Sequence, residues 1–117
     1  MPTKVSVDYD REFLTGTVGV LILGLLAERE MYAYEMLQEA ERRSERAFTL
    51  KEGTLYPALH QMERAGLLKA RWLDGPTGRP RKYYSLTAKG RTRAASKRQQ
   101  WASISAAMRA ILGDAHA

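Results

Sequence analysis

Cationic side chains that could hold the phosphates of a nucleic acid are concentrated in the second half of this 117-residue chain. Residues 69–98 include ten Lys and Arg residues and one acid, Asp74, whereas residues 1–68 include eight bases and eleven acids. Neutralising phosphates releases counterions, which supplies most of the affinity of non-specific DNA binding. The asymmetry therefore favours a polyanion docking on the later part of the chain, although a solvated helix face would give the same charge pattern.

Polar side chains on the third predicted helix are of the types that reach DNA bases. Leu55, Leu59 and Met62 repeat at helical spacing and form an apolar stripe that should face inward. The DNA-contact candidates off this stripe or at its amino-terminal end are Lys51, Thr54, Tyr56 and His60. The alternatives are that Tyr56 is an aromatic residue at the rim of the core and that His60 is a surface residue without a contact.

A second group of candidates lies on and beside a turn rich in Gly and Pro, where clustered charge serves no packing purpose. Its members are Arg79, Arg81 and Lys82. We expect these cations to bind phosphates or the neighbouring minor groove.

No catalytic or metal-binding set is recognisable in the sequence. The chain has no cysteine, and His60 and His116 are its only histidines. Neither a Ser/His/Asp or Cys/His arrangement nor a GxxxxGK phosphate loop is present. We therefore predict no enzymatic activity, no metal and no cofactor, and the lack of cysteine favours an intracellular location.

The longest apolar run, residues 18–27, predicts a buried helix, because a membrane span needs roughly 20 apolar residues. We expect this helix over residues 13–28, and its three glycines predict the close approach of another helix, such as one from a second subunit. Residues 1–10 lack apolar periodicity and are expected to fray. A second helix is expected over residues 32–44.

The third helix has two compatible starts. Thr49 begins a capping box, which would start the helix there. Pro57 would then lie inside the helix, with Gly53 easing the clash of its ring. If Thr54 is the cap instead, Pro57 falls in the first turn, where proline is tolerated. With either start, Gly66 is expected to end the helix.

From Leu67 onward the apolar period changes to two, which predicts a strand, and residues 82–86 predict the returning strand. The intervening residues 74–80 are turn formers, so the pair should form a β-ribbon with a long tip. Thr87 can cap a last helix over residues 88–112.

This last helix has an apolar seam at alternating steps of three and four residues. The seam consists of Ala94, Trp101, Ile104, Met108 and Ile111, with Lys97 in its one polar position. Because a long helix on so small a body has few other surfaces to pack on, we predict a homodimer. The predicted interface residues are Phe13, Trp101, Ile104, Met108 and Ile111. The alternative is that the seam packs within its own subunit.

Together these elements predict a mainly α fold with a small β-ribbon wing. A winged helix-turn-helix DNA-binding domain is expected at residues 12–87, followed by a C-terminal dimerisation helix at residues 88–112. In such a domain, the second of two crossing helices enters the major groove.

The chain also contains a set of short motifs. They are Leu14-x-Gly16-Thr17, Leu23-x-Leu25-Leu26, Tyr34, Gly53-Thr54-Leu55-Tyr56-Pro57-x-Leu59, Glu63-x-x-Gly66-Leu67 and Arg79-Pro80-Arg81-Lys82-Tyr83-Tyr84-x-Leu86-Thr87-x-x-Gly90. This combination covers about residues 13–112 and resembles the PadR family of bacterial winged helix-turn-helix transcriptional regulators, in its compact form with a single C-terminal helix.

The resemblance implies a homodimer, usually a repressor, whose recognition helices bind a pseudo-palindromic operator and whose DNA affinity is altered by a small molecule. It implies that Pro57 lies inside the longer recognition helix and belongs to the DNA-contacting set. It also implies a phosphate contact for Tyr34. Ala33 stands where many relatives have glycine, a departure that would shift the close contact beside Tyr34.

Trp101 lies fourteen residues after Thr87, where multidrug-sensing compact relatives place a tryptophan at the dimer centre. In those relatives, the two symmetry-related indoles flank a flat aromatic ligand. The resemblance thus implies an effector site lined by Val20, Trp101, Ser105 and Met108. The alternative is a tryptophan that only fills the interface.

The sequence therefore predicts a cytoplasmic, homodimeric repressor that binds double-stranded DNA and responds to a small aromatic effector. Two other functions are compatible with the same residues. One is a winged helix that binds a partner protein, and the other is a non-specific DNA-compacting protein.

Overall fold

A computed structural model describes residues 9–14 and 16–113. Most of residues 1–10, for which fraying is predicted, and His116 lie outside these described ranges. The elements are, in chain order, α1 (Arg11–Leu14), α2 (Thr17–Leu26), β1 (Met31–Tyr32), α3 (Ala33–Arg43), α4 (Glu52–Arg64), β2 (Leu68–Asp74), β3 (Pro80–Leu86) and α5 (Ala88–Leu112). The fold is mostly helical with a small antiparallel sheet in the order β1-β3-β2, which confirms the predicted fold class.

The prediction of a single helix over residues 13–28 is wrong. The chain forms α1 and then α2, and Gly16 between them has a φ of 84°, which a residue with a side chain rarely adopts. α2 also ends two residues earlier than predicted, at Leu26. At Gly19 and Gly24, no atom of another described segment lies within 4 Å of an added Cβ. α5 packs on α2, but it makes no close contact at these two glycines in the described part of the chain.

The core forms where the helices and the sheet meet, with α2 in contact with α3, α4, α5 and β3. Its most deeply buried side chains are Ile22, Met31, Met36, Leu55 and Leu59. Burial of Leu55, Leu59 and Met62 confirms the predicted inward stripe of α4. Because these side chains come from three helices and a strand, the core fixes α4 relative to the rest of the domain.

Of the two predicted starts of α4, the one at Thr54 is wrong, and the longer helix that starts near Thr49 is observed with its cap displaced to Lys51. The helix begins at Glu52, and Lys51 precedes it in an extended conformation. Thr54 lies in the first turn, where its N–H donates to the carbonyl of Lys51 at 3.0 Å. Pro57 lies inside the helix, as the family resemblance implied.

The end of α4 is as predicted. Gly66 has a φ of 78°. Its N–H donates to the carbonyl of Glu63 at 3.0 Å, and the N–H of Leu67 donates to the carbonyl of Met62 at 3.0 Å. This pair of bonds is a Schellman motif, which satisfies carbonyls that the helix end leaves free.

The strand β1 was not predicted, since Tyr32 had been assigned to the following helix. Met31 pairs with Tyr84 and Tyr32 pairs with Tyr83, so this short segment adds a third strand beside β3. Tyr32 is extended and precedes α3, and its N–H donates to Glu35 Oε1 at 3.2 Å. One short segment thus attaches the start of α3 to the sheet.

The wing and the last helix follow the sequence closely. β2 and β3 form the predicted ribbon, but β3 begins at Pro80, two residues before the predicted start. α5 spans Ala88–Leu112 as predicted, and Thr87 caps it by accepting a hydrogen bond from the Gly90 N–H at 3.0 Å. Within the described ranges, no helix is long and apolar enough to cross a membrane.

Candidate nucleic-acid interface

The outward face of α4 is polar and open to solvent. Tyr56, Pro57 and His60 are exposed there, and Lys51 is exposed at the amino-terminal end of the helix. Tyr56 keeps 43% of its surface accessible, which is compatible both with a contact to DNA and with a position at the rim of the core. These side chains can meet a partner without any rearrangement of the core.

Thr54 is half-buried on one flank of α4. It lines a groove with Pro57 and Ala58, and the other wall is formed by Gly16 and Val18 of the α1–α2 region. Thr54 therefore lies beside the first helices, whereas His60 points away from the core.

Two exposed residues of α4 were missed by the sequence reasoning. Gln61 lies four residues after Pro57, and Arg64 lies four residues after His60. Residues at this spacing share one face of a helix, so Gln61 lies beside Pro57 and Arg64 beside His60. Helical spacing alone would have identified them. Arg64 adds a cation to this face near the carboxyl end of α4.

The three cations assigned to the wing occupy different environments. Arg79 is exposed in the turn, where its carbonyl accepts the N–H of Gly75 at 2.7 Å. Arg81 and Lys82 lie in β3 and are half-buried. Because successive strand residues point to opposite faces of a sheet, these two side chains leave the ribbon on opposite sides.

Lys82 connects the wing to α4. Its Nζ donates to Glu63 Oε1 at 3.1 Å and lies 5.1 Å from the ring centre of Tyr84. The hydrogen bond to Glu63 raises the pKa of Lys82 above its ordinary value, so this ammonium group stays charged at neutral pH. The pair spans nineteen residues of sequence, and no local pattern signals it.

Arg81 connects the other face of the wing to the start of α3. Its guanidinium carbon lies 4.6 Å from the ring centre of Tyr32, a cation–π geometry. The Tyr32 ring also lies 5.3 Å from that of Tyr83 and 6.4 Å from that of Tyr34. Tyr34 itself remains 55% exposed. The structure thus brings Tyr34 and Arg81 to one aromatic cluster around Tyr32.

Several acids of the first half are paired with arginines. Glu30 binds Arg71 of β2 through both carboxylate oxygens, and Glu28 binds Arg43 at 2.6 and 2.8 Å. These hydrogen bonds lower the pKa of Glu30 and that of Glu28. Arg71 is therefore engaged with Glu30 on the face of the ribbon opposite Lys82.

The predicted dimer residues form an exposed apolar surface along α5 and α1. The exposed fractions are 58% for Phe13, 47% for Trp101, 49% for Ile104, 45% for Met108 and 75% for Ile111. Beyond Ala94, the seam residues therefore keep about half or more of their surface exposed in the described part of the chain.

The predicted effector residues are only partly brought together. An open groove of about 450 Å³ between α2, α3 and α5 is lined by Val20, Phe48, Arg98 and Trp101 among others. Ser105 and Met108 lie further along α5 and do not line it. Val20 and Trp101 are therefore adjacent in one subunit, whereas contact with the other two requires a ligand or a partner that reaches along the helix.

Comparison with known proteins gives a consistent picture. The model of a family described as the transcriptional regulator PadR-like family matches residues 22–96. A transcriptional regulator of Mycobacterium tuberculosis is 37% identical over 83 residues, which cover 69% of this chain and 72% of that protein.

Two solved structures have the same fold. A PadR family transcription regulator from Clostridium difficile has a TM-score of 0.70 and 37% identity, covering 84% of this chain and 100% of that one. A PadR-like regulator from Bacillus cereus has a TM-score of 0.74 and 27% identity, covering 88% of this chain and 98% of that one.

Proposed function

Because the chain belongs to the PadR-like family of transcriptional regulators, we propose that it is a sequence-specific DNA-binding repressor that acts in the cytoplasm as a homodimer. The observation that carries this proposal is the joining of an exposed polar helix face to a cationic wing. Glu63 of α4 and Lys82 of β3 hold the two together at 3.1 Å. A helix and a wing joined in this way can read a major groove while contacting the adjacent backbone.

The amino-terminal half of α4 enters the major groove in this proposal. Thr54, Tyr56 and His60 reach base edges, and Pro57 is exposed beside them and belongs to the contacting set. Phosphates are bound by the cations at the helix start and on the wing and by the tyrosine of α3. These phosphate-binding residues are Lys51, Arg79, Arg81, Lys82 and Tyr34.

A dimer supplies the second recognition helix. The seam of α5 is exposed and apolar along Trp101, Ile104, Met108 and Ile111, and burying it against a second copy is favourable. Two α4 helices related by a two-fold axis match a pseudo-palindromic operator whose half-sites lie about 34 Å apart. Bound there, the dimer would compete with RNA polymerase for the promoter.

A small aromatic effector at the subunit interface would regulate the repressor by changing the spacing of the two α4 helices. Val20 and Trp101 line the groove that supports this part of the proposal. Planar cationic dyes should quench Trp101 fluorescence in a Trp72→Phe variant. Absence of quenching would contradict an aromatic site at Trp101.

The direct test is a gel-shift and footprinting experiment on DNA upstream of the gene that encodes the chain. We expect a protected, two-fold symmetric site and sedimentation of the free protein as a dimer. Equal binding to every duplex with a steep salt dependence would instead indicate a DNA-compacting protein. Absence of binding at low ionic strength would favour the protein-interaction alternative.

A further inference from the structure

Trp72 lies on the wing with 65% of its surface exposed, although it belongs to the face of the sheet that covers the core. In the ribbon, Leu68 pairs with Leu86, Ala70 with Tyr84 and Trp72 with Lys82. Directly paired residues point to the same side of a sheet. The first two pairs cover the core, whereas Trp72 and Lys82 lie where this face extends toward the tip of the wing.

The hydrogen bond of Lys82 shows which helix this face of the ribbon is turned toward. The Nζ of Lys82 reaches Glu63 of α4 at 3.1 Å, so the face beside Trp72 is turned to the recognition helix. Trp72 and Lys82 therefore lie on the face of the wing that is turned toward Glu63. We call the angle between this face and α4, which the Lys82–Glu63 hydrogen bond spans, the wing cleft. Trp72 is its most exposed apolar side chain.

The geometry of a duplex indicates what fills this cleft. If α4 occupies a major groove and the wing tip reaches the next minor groove, the strand that separates the two grooves must run along the angle between helix and wing, on the solvent side of the Lys82–Glu63 bond. That strand presents phosphates and the apolar faces of deoxyriboses. The cleft offers the matching groups, an ammonium at Lys82 and an exposed indole at Trp72.

We infer that Trp72 packs against the sugar-phosphate strand lying in the wing cleft, beside a phosphate bound by Lys82. The inference rests on the proposed function and names the source of a sequence-independent part of its DNA affinity. The contact buries indole surface and carries no charge, so it contributes to affinity without adding to the number of displaced counterions.

The experiment measures affinity as a function of salt, using a labelled random duplex of about 30 base pairs and the upstream duplex. We expect Trp72→Ala to bind both duplexes about tenfold more weakly, a loss comparable to removal of an aromatic contact with nucleic acid. The slope of log Kd against log salt should stay at the wild-type value, whereas Lys82→Ala should reduce it by about one. Trp72→Phe should retain most of the affinity.

Leu73→Ala is the matched control, because Leu73 is the adjacent residue on the opposite face and is 36% exposed. We expect its affinity to equal that of wild type. In a Trp101→Phe variant, where Trp72 is the only tryptophan, saturation with duplex should shift the emission of Trp72.

Three results would overturn the inference while leaving the proposed function intact. They are wild-type affinity in Trp72→Ala, an unchanged emission of Trp72 on saturation, and a change of oligomeric state in Trp72→Ala without DNA. The last result would assign the indole to a protein interface. If wild-type protein binds neither duplex at low ionic strength, the proposed function itself fails.

Discussion

Gly90, in the first turn of α5, lies directly against the carbonyl oxygen of Leu67, which follows the end of α4. A Cβ added at Gly90 would overlap this oxygen and would lie 3.3 Å from a methyl group of Leu86. The neighbouring Thr87 Oγ1 donates to the carbonyl of Gly66 at 2.6 Å, and Lys89 Nζ donates to the carbonyl of Ala65 at 2.8 Å. The end of α4 and the start of α5 are therefore packed closely against each other and joined by hydrogen bonds.

Gly90→Ala should destabilise the protein, although alanine is the better helix former by about 1 kcal/mol. The overlap is with backbone, which cannot move without separating α5 from α4. We expect the free energy of unfolding to fall by about 1–3 kcal/mol in denaturant titrations.

Gly53→Ala is the control for helix propensity. Gly53 lies in α4, and an added Cβ there meets no atom within 4 Å outside its chain neighbours and the nearby backbone of α4 itself, among the described residues. This variant should be as stable as wild type or more so, by up to about 1 kcal/mol. Equal stability changes in the two variants would show that the contact with Leu67 is unimportant.

The interactions that link the wing to the rest of the domain could not be predicted from the sequence. The inward stripe of α4, the end at Gly66 and the cap at Thr87 were predictable, because each depends on residues a few positions apart. The pairing of β1 with β3 and the contact of Lys82 with Glu63 join distant segments, and only the folded core brings these together. Thr49 failed as a cap because local capping patterns do not include the tertiary contacts that position Leu50, which is buried.

Glu63→Gln should strengthen DNA binding. The change removes a negative charge next to the proposed path of the backbone, and the amide oxygen that replaces the carboxylate can still accept the hydrogen bond from Lys82 that holds the wing to α4. We expect the affinity for any duplex to rise about threefold at low salt, with a smaller gain at high salt. Fluorescence anisotropy with a labelled duplex measures both values.

Glu41→Gln makes the same change of net charge at an exposed position of α3. Its effect should be smaller than that of Glu63→Gln. If the DNA affinity rises equally in both variants, the increase comes from the change of net charge, and the position of Glu63 has no special role.

Substitutions of base-contacting and phosphate-binding residues should differ in how the resulting loss of affinity depends on the DNA sequence. His60→Ala should alter which operator is preferred, at a cost of about 1–3 kcal/mol at the affected base pair. Arg79→Ala and Arg81→Ala should weaken binding to all duplexes and lower the salt slope by about one each. Competition assays with mutated operators separate the two behaviours, and a uniform loss in all three variants would refute the division.

Acid should weaken the contact between Glu30 and Arg71. The hydrogen bonds from Arg71 lower the pKa of Glu30 below its ordinary value of 4.5. A carboxyl group whose pKa is lower when folded stabilises the protein above the unfolded pKa, and this stabilisation is lost as the pH falls through the folded value. Glu30→Gln should therefore lower Tm at neutral pH, and its difference from wild type should shrink below pH 4.5.

The double variant Glu30→Gln/Arg71→Ala tests whether this effect belongs to the pair. At neutral pH, its Tm should be close to that of Arg71→Ala alone, because the second change removes a partner already lost. Additive losses at neutral pH, or a difference that persists unchanged in acid, would assign the effect to other contacts of these side chains.

Ile104→Glu should dissociate the proposed dimer. Ile104 is 49% exposed on the seam of α5, and a carboxylate there would be buried against a second copy without a partner. We expect sedimentation of a monomer at micromolar concentration and a loss of operator affinity, because one α4 helix then reads a single half-site. Ala106→Glu places the same charge two residues further on, on the opposite side of the helix, and should remain dimeric. A dimeric Ile104→Glu with intact DNA affinity would mean that subunits meet elsewhere, whereas a monomeric wild type that still binds one half-site would remove the dimer from the mechanism.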